Sequence, residues 1–164
     1  MHRVSKDLRN KAREAAVLLA RRGERVAVAE TTAGGLLGWV LSVAEPAHAF
    51  AGSVVAYSAG AKEQVLGADP FAGLTGAVSP EMAAALAGAI RLAIPADWGV
   101  AETGIAGPQT GHRSAKGAGL GYVAVAGPTS QIREVRTGLD ARAANQEAFA
   151  AAALDLLLEA IRLD

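Results

Sequence analysis

Apolar residues recur at Leu8, Ala12, Ala15, Ala16, Leu19 and Ala20, with lysines and arginines between them, and this spacing predicts one helix over 5–22 with a single buried face. Gly23 is its stop signal. Residues 25–30 are a short apolar run between turn signals, hence a buried strand, and 36–43 has helical length and ends before Pro46. A second strand is predicted over 50–58, then a short helix over 61–66 closed by Gly67. Ser79, Pro80 and Glu81 supply an N-cap, a first-turn proline and a first-turn acid for a helix running to 94, before Pro95. Strands over 98–103, 120–126 and 131–137 follow, the last two joined through Gly127 and Pro128 as a hairpin, and a long alanine- and leucine-rich helix over 141–161 closes the chain.

Strands alternating with helices, then a hairpin and a closing helix, predict an α/β protein with helices on both faces of a mixed, mostly parallel sheet. Nothing in the sequence marks a linker, a repeat or a low-complexity tract, so residues 1–164 are expected to form a single domain. In sheets of this kind ligands sit beyond the carboxyl ends of the strands. Three segments fall there: 30–35, 57–62 and 103–108.

Composition narrows the function classes. With 16 basic and 16 acidic residues the net charge is zero, so no global field draws the chain to nucleic acid or to an anionic membrane, and neither is expected as a partner. Any anionic ligand must be met by local groups. The absence of cysteine excludes disulfides, a cysteine nucleophile and thiolate metal sites. His2, His48 and His112 have no metal-ligand spacing, so neither a metal nor another cofactor is expected. The start leads into a charged helical pattern instead of an apolar signal core, and no stretch approaches the roughly 20 apolar residues of a membrane span, which together predict a soluble cytoplasmic protein.

The segment Ala29-Glu30-Thr31-Thr32-Ala33-Gly34-Gly35 runs from a strand into a helix and brings hydroxyls and backbone N–H groups to a helix N-terminus, where an anion or a developing oxyanion is stabilised. The same pattern serves a helix cap with glycines for close packing. Tyr57 and Lys62 flank the next junction, as a phenol and amine able to activate a hydroxyl nucleophile, or as a strand-end tyrosine and a solvated lysine. Thr103, Gly104 and Gly107 offer a hydroxyl and two points where backbone approaches a ligand, or an ordinary loop. His112, Arg113 and Lys116 follow as a local cationic group suited to phosphate. Glu30 and Glu102, each at a strand end, are placed to orient a substrate amide or ribose, or to serve as hydrogen-bonded structural carboxylates.

Together these segments resemble the C-terminal domain of the competence/damage-inducible protein CinA, the family of nicotinamide-nucleotide amidases. The resemblance rests on Ala29-Glu30 with Gly34-Gly35-Leu36, Val55-Ala56-Tyr57-Ser58 with Lys62 and Leu66-Gly67, Gly76-Ala77-Val78-Ser79, and Thr103-Gly104-Ile105-Ala106-Gly107-Pro108, in order across most of the chain. It implies a three-layer α/β/α fold with a five-stranded sheet, in the family's stand-alone form. It also implies hydrolysis of the carboxamide of nicotinamide mononucleotide to the acid mononucleotide and ammonia, and a homo-oligomer. On this resemblance Thr31 is the nucleophile with Tyr57 and Lys62 assisting, Gly34 and Gly35 offer N–H groups to the oxyanion, and Glu30, Thr103, Gly104, Gly107 and Lys116 bind substrate. Two departures stand out. The family's first motif usually reads Ala-Glu-Ser-Cys-Thr-Gly-Gly, and Thr31 occupies the position of its serine; beyond Pro108, Gln109 and the four residues after it replace a glycine-rich stretch.

Overall fold

The computed structural model describes residues 4–67, 76–109 and 115–164. Five helices, α1 (Lys6–Arg22), α2 (Leu36–Ser42), α3 (Ala59–Leu66), α4 (Pro80–Ala93) and α5 (Arg142–Leu163), surround five strands, β1 (Val26–Glu30), β2 (Phe50–Val55), β3 (Trp98–Gly104), β4 (Leu120–Ala126) and β5 (Ser130–Arg136). The sheet order is β2-β1-β3-β4-β5. β1 pairs in parallel with β2 and β3, while β3–β4 and β4–β5 are antiparallel. The sheet is mixed as expected, with β4 alone running against the other four strands.

Helix limits follow the signals in the sequence. The Ser5 hydroxyl accepts the Leu8 N–H to cap α1, and Gly23 ends it at φ 67°, a left-handed conformation glycine adopts without strain. Ser79 caps α4 through the Met82 N–H, with Pro80 in the first turn. β2 ends at Val55, so Ala56, Tyr57 and Ser58, read as strand, lie beyond it. A single 3-10 turn, Ala47–Ala49, was not expected from the pattern.

The inner strands alternate by size. Val26, Val28, Val100, Val123 and Val125 pack with Leu8, Leu19, Leu154 and Leu157 in a core beneath α1, α2 and α5. Ala27, Ala29, Ala101 and Ala124 face Met82, Leu86 and Ile90 of α4. Small residues on this second face let α4 lie close: a Cβ on Gly99 would stand 2.0 Å from the Ala87 carbonyl oxygen. α3 packs on α4, which completes the three layers. The same alternation carries on past the core. Glu30 and Glu102, two residues beyond Val28 and Val100, therefore point to the face of α1, α2 and α5, and Thr103 points to the face of α4. Among the described residues no helix is long and apolar enough to cross a membrane.

Candidate active site

The turn from β1 into α2 is held by two buried carboxylates. Gly34 (φ 67°) and Gly35 (φ 102°) take left-handed conformations that turn the chain into α2. The Glu30 carboxylate accepts N–H bonds from Gly35 at 3.1 Å, Leu37 at 2.9 Å and Gly38 at 2.7 Å, occupying donors at the start of α2 that the helix itself leaves unpaired. Gly38 makes this possible, because a Cβ there would meet Ser53 Oγ at 2.3 Å. Glu30 thus caps α2 and is not among the residues that line the cleft described below, where a substrate-binding role was expected for it.

Glu102 holds the turn from the neighbouring strand. Its Oε1 accepts the Thr31 N–H at 2.7 Å and the Ala33 N–H at 2.8 Å, while Oε2 is buried without a hydrogen-bond partner. Burial pushes this carboxyl up from 4.5 to about 7, against the pull of the Ala33 and Thr31 N–H groups, and Glu30 adds a further upward push. Most N–H groups read as an anion hole are consequently occupied internally. Gly35 gives its N–H to Glu30, and neither Gly34 nor Gly35 lines the cleft described below, so the expected oxyanion pair is not formed there.

The raised carboxyl has a consequence for stability. The folded state holds the Glu102 proton more tightly than the unfolded chain, so between 4.5 and about 7 the unfolded state binds fewer protons and stability falls as pH rises. A loss of up to about 3 kcal/mol from this group is expected between pH 4 and pH 8. Urea unfolding at a series of pH values reads it, and Glu102→Gln is expected to remove most of the slope.

The three segments at the carboxyl ends of the strands do converge. A cleft of about 380 Å³ is lined by Thr31, Thr32, Tyr57, Lys62, Thr103 and Arg142, together with residues 77–78 and 104–109. The two adjacent hydroxyls differ. Thr32 Oγ1 donates to the Gly104 carbonyl at 2.7 Å and accepts the Gly104 N–H at 3.0 Å, which pins it to the end of β3. Thr31 Oγ1 has only longer contacts, 3.2 Å to the Glu102 carbonyl and 3.2 Å to Thr32 Oγ1, so it is the hydroxyl with less to lose on meeting a ligand.

Lys62 is 6% exposed and its ammonium donates to the Tyr57 carbonyl at 3.4 Å. Burial lowers its pKa, and the Glu102 carboxylate draws it part of the way back. Tyr57, by contrast, is 61% exposed at the rim.

The remaining predicted residues are distributed differently. Thr103 Oγ1 donates to the Ala77 carbonyl at 2.6 Å, tying β3 to the segment before α4. Lys116 donates to the Val78 carbonyl and does not line the cleft. Gly104 and Gly107 line it through their backbones, but the space their missing side chains leave is taken by the protein: a Cβ would meet Phe149 at 2.6 Å in the first case and Asp140 Oδ1 at 2.6 Å in the second. They allow chain to pack on chain. His112 and Arg113 lie outside the described residues.

Three residues at the start of α5 were not anticipated. Arg142 reaches the cleft. Asn145, fully buried, donates to the carbonyls of Ala106 at 2.9 Å and Leu139 at 3.0 Å and accepts the Thr137 hydroxyl. Gln146 donates to the Thr32 carbonyl at 3.1 Å. The signal available was a polar Asn145-Gln146 pair inside an otherwise alanine-rich helical pattern. Among the described residues no three His, Asp or Glu side chains gather to hold a metal ion.

This arrangement of strand ends, turn and cleft has known counterparts. The family model of the CinA C-terminal domain matches residues 8–161. The chain belongs to the CinA C-terminal domain family. A CinA-like protein of Anaeromyxobacter sp. (strain Fw109-5) is 44% identical over 148 residues, covering 88% of this chain and 35% of that protein. A CinA-like protein of Gloeobacter violaceus is 40% identical over 75% of this chain and 29% of its own length. The chain therefore spans about a third of the length of these curated relatives. Among solved structures, the competence/damage inducible protein CihA from Agrobacterium tumefaciens matches with a TM-score of 0.88 and 30% identity, over 99% of each chain. A competence or damage-inducible protein from Enterobacter asburiae matches with a TM-score of 0.85 and 25% identity, over 96% of this chain and 99% of that one.

Proposed function

We propose that the cleft at the carboxyl ends of β1, β2 and β3 is an amidohydrolase site that acts on the carboxamide of nicotinamide mononucleotide or a related pyridine nucleotide. The observation that carries the reading is that the loosely bonded Thr31 hydroxyl and the buried amine of Lys62 line one cleft. A lysine whose pKa is lowered by burial is the form of base able to take a hydroxyl proton. In this scheme the Thr31 Oγ–H proton passes to a neutral Lys62, and Oγ bonds to the carboxamide carbon. The C–N bond then breaks, with the Lys62 proton leaving on ammonia. Water next cleaves the threonyl ester to release the carboxylate. Arg142, exposed at the first residue of α5, offers a guanidinium to the phosphate, and the ribose lies against the backbone of 104–108.

Ammonia release from nicotinamide mononucleotide is the direct test. Turnover that scales with enzyme concentration supports the reading, and none at high enzyme concentration removes it.

A second reading, a nucleotide-binding homologue without turnover and with a regulatory or assembly role, is favoured by two specific observations. The turn's Thr31 and Ala33 N–H groups are already given to Glu102, and threonine stands where the family has serine. Calorimetry distinguishes the two, since binding of the mononucleotide with no ammonia supports the second.

A further inference from the structure

The cleft carries its charge unevenly. Among the described residues that line it, Lys62 and Arg142 are the cations and no aspartate or glutamate is present, in a chain whose net charge is zero. Glu30 and Glu102, the buried acids at this end of the sheet, direct their hydrogen bonds to the β1–α2 turn and line no part of the cleft. The threonine hydroxyls that line it are donors to the protein itself: Thr31 to the Glu102 carbonyl, Thr32 to the Gly104 carbonyl and Thr103 to the Ala77 carbonyl. Lys62 differs from them. It is 6% exposed and makes a single hydrogen bond, 3.4 Å to the Tyr57 carbonyl, so an ammonium there keeps two N–H donors for an occupant of the cleft. Among the described residues no carboxylate forms an ion pair with it within 4.0 Å. A buried cation lacking a paired charge is costly, and an anion in contact with it offsets that cost. Arg142, exposed at the first residue of α5, brings a second cation to the same cleft.

We propose that the cleft selects a ligand with two anionic groups, a carboxylate held by Lys62 and a phosphate held by Arg142, so that it binds the acid mononucleotide more tightly than the amide and the reaction is restrained by its own product. A carboxamide matches Lys62 less well. Its NH₂ group needs an acceptor where the ammonium offers only donors, whereas a carboxylate accepts through both oxygens. The hydrolysis scheme ends on such a pair. Water cleaves the threonyl ester to a carboxylic acid and restores the Thr31 hydroxyl; the acid proton passes to the Lys62 amine, and a carboxylate then stands beside an ammonium. Release of the product has to break that charge-assisted contact. Accumulated acid therefore competes with the amide for the cleft and holds Lys62 in the form that cannot take the Thr31 proton. That the acid arises in the cleft rests on the amidohydrolase reading, whereas the preference for a carboxylate does not.

Calorimetry with nicotinate mononucleotide and nicotinamide mononucleotide tests the preference without turnover. The protein used is Thr31→Ala, in which the amide persists through the titration. The acid is expected to bind about 10-fold more tightly than the amide; equal or weaker binding of the acid, or none, overturns the proposal. With Lys62→Met added, the acid is expected to lose its advantage and bind as the amide does, and a preference that survives there overturns the proposal too. Arg142→Ala, a change to an exposed side chain, is expected to weaken both ligands alike because both carry the phosphate, and weakening of the acid alone again counts against it. Should the Lys62 variant fail to fold, the comparison of the two ligands on Thr31→Ala decides by itself, since one folded protein serves both arms. Where the wild type releases ammonia, added acid is expected to inhibit competitively. A preference for the acid without ammonia release keeps the two-anion site and removes the amidase reading, and ammonia release without the preference does the reverse.

Discussion

Thr31→Ala is expected to bring release of ammonia from nicotinamide mononucleotide to background, a loss of at least about 10³-fold in kcat, because the variant removes the attacking oxygen itself. The neighbouring hydroxyl does not replace it, since Thr32 Oγ1 is bonded twice to Gly104 and its departure would unpin the end of β3. Thr31→Ser is expected to act in the opposite sense. The γ-methyl of threonine restricts χ1 and crowds the line of attack, and displacement of a reacting atom by about 1 Å can cost about 100-fold. Serine at this position is therefore expected to raise kcat by about 10- to 100-fold in the same assay. Turnover that survives in Thr31→Ala would show that another group attacks. A flat response to Thr31→Ser beside a dead alanine variant would mean that the cleft is shaped for a different carboxamide.

What was legible in the sequence is what local patterns determine. Ser5 and Gly23 mark the limits of α1, and Ser79 and Pro80 mark the start of α4, because caps act within a few residues of themselves. The rule that ligands gather at the carboxyl ends of strands brought Thr31, Tyr57, Lys62 and Thr103 together correctly from segments more than 70 residues apart. The destinations of Glu30 and Glu102 were not legible. A strand pattern shows that a carboxylate sits at an end, but its partner depends on which strand lies alongside, and only the β1–β3 pairing places Glu102 on the Thr31 turn. Gly104 and Gly107 suggested backbone open to a ligand for the same reason: Phe149 and Asp140, which fill those spaces, come from 45 and 33 residues later in the chain. Arg142, Asn145 and Gln146 were hidden inside a helix whose alanines announce only its packing face.

Glu30→Ala is expected to destabilise the fold by about 4 kcal/mol, a loss of about 10³-fold in the folding equilibrium. The carboxylate is the acceptor for three N–H groups at the start of α2, and each donor left buried without a partner costs about 1–3 kcal/mol, with water recovering part of this at the half-buried Gly35. Glu30→Gln is expected to lose about half as much. Its oxygen can keep the Gly35 and Leu37 bonds at the Oε2 position, but its NH₂ then faces the Gly38 N–H, donor against donor. The pH dependence carries a further sign. Burial holds the Glu30 carboxyl above its ordinary value of 4.5, so the folded state binds its proton more tightly than the unfolded chain and the wild type loses stability from this group as pH rises. The alanine variant has no such loss, and its deficit is expected to be larger at pH 4 than at pH 8. Urea unfolding of the three proteins at both pH values checks all of this, and variants within about 1 kcal/mol of the wild type would remove Glu30 as the cap of α2.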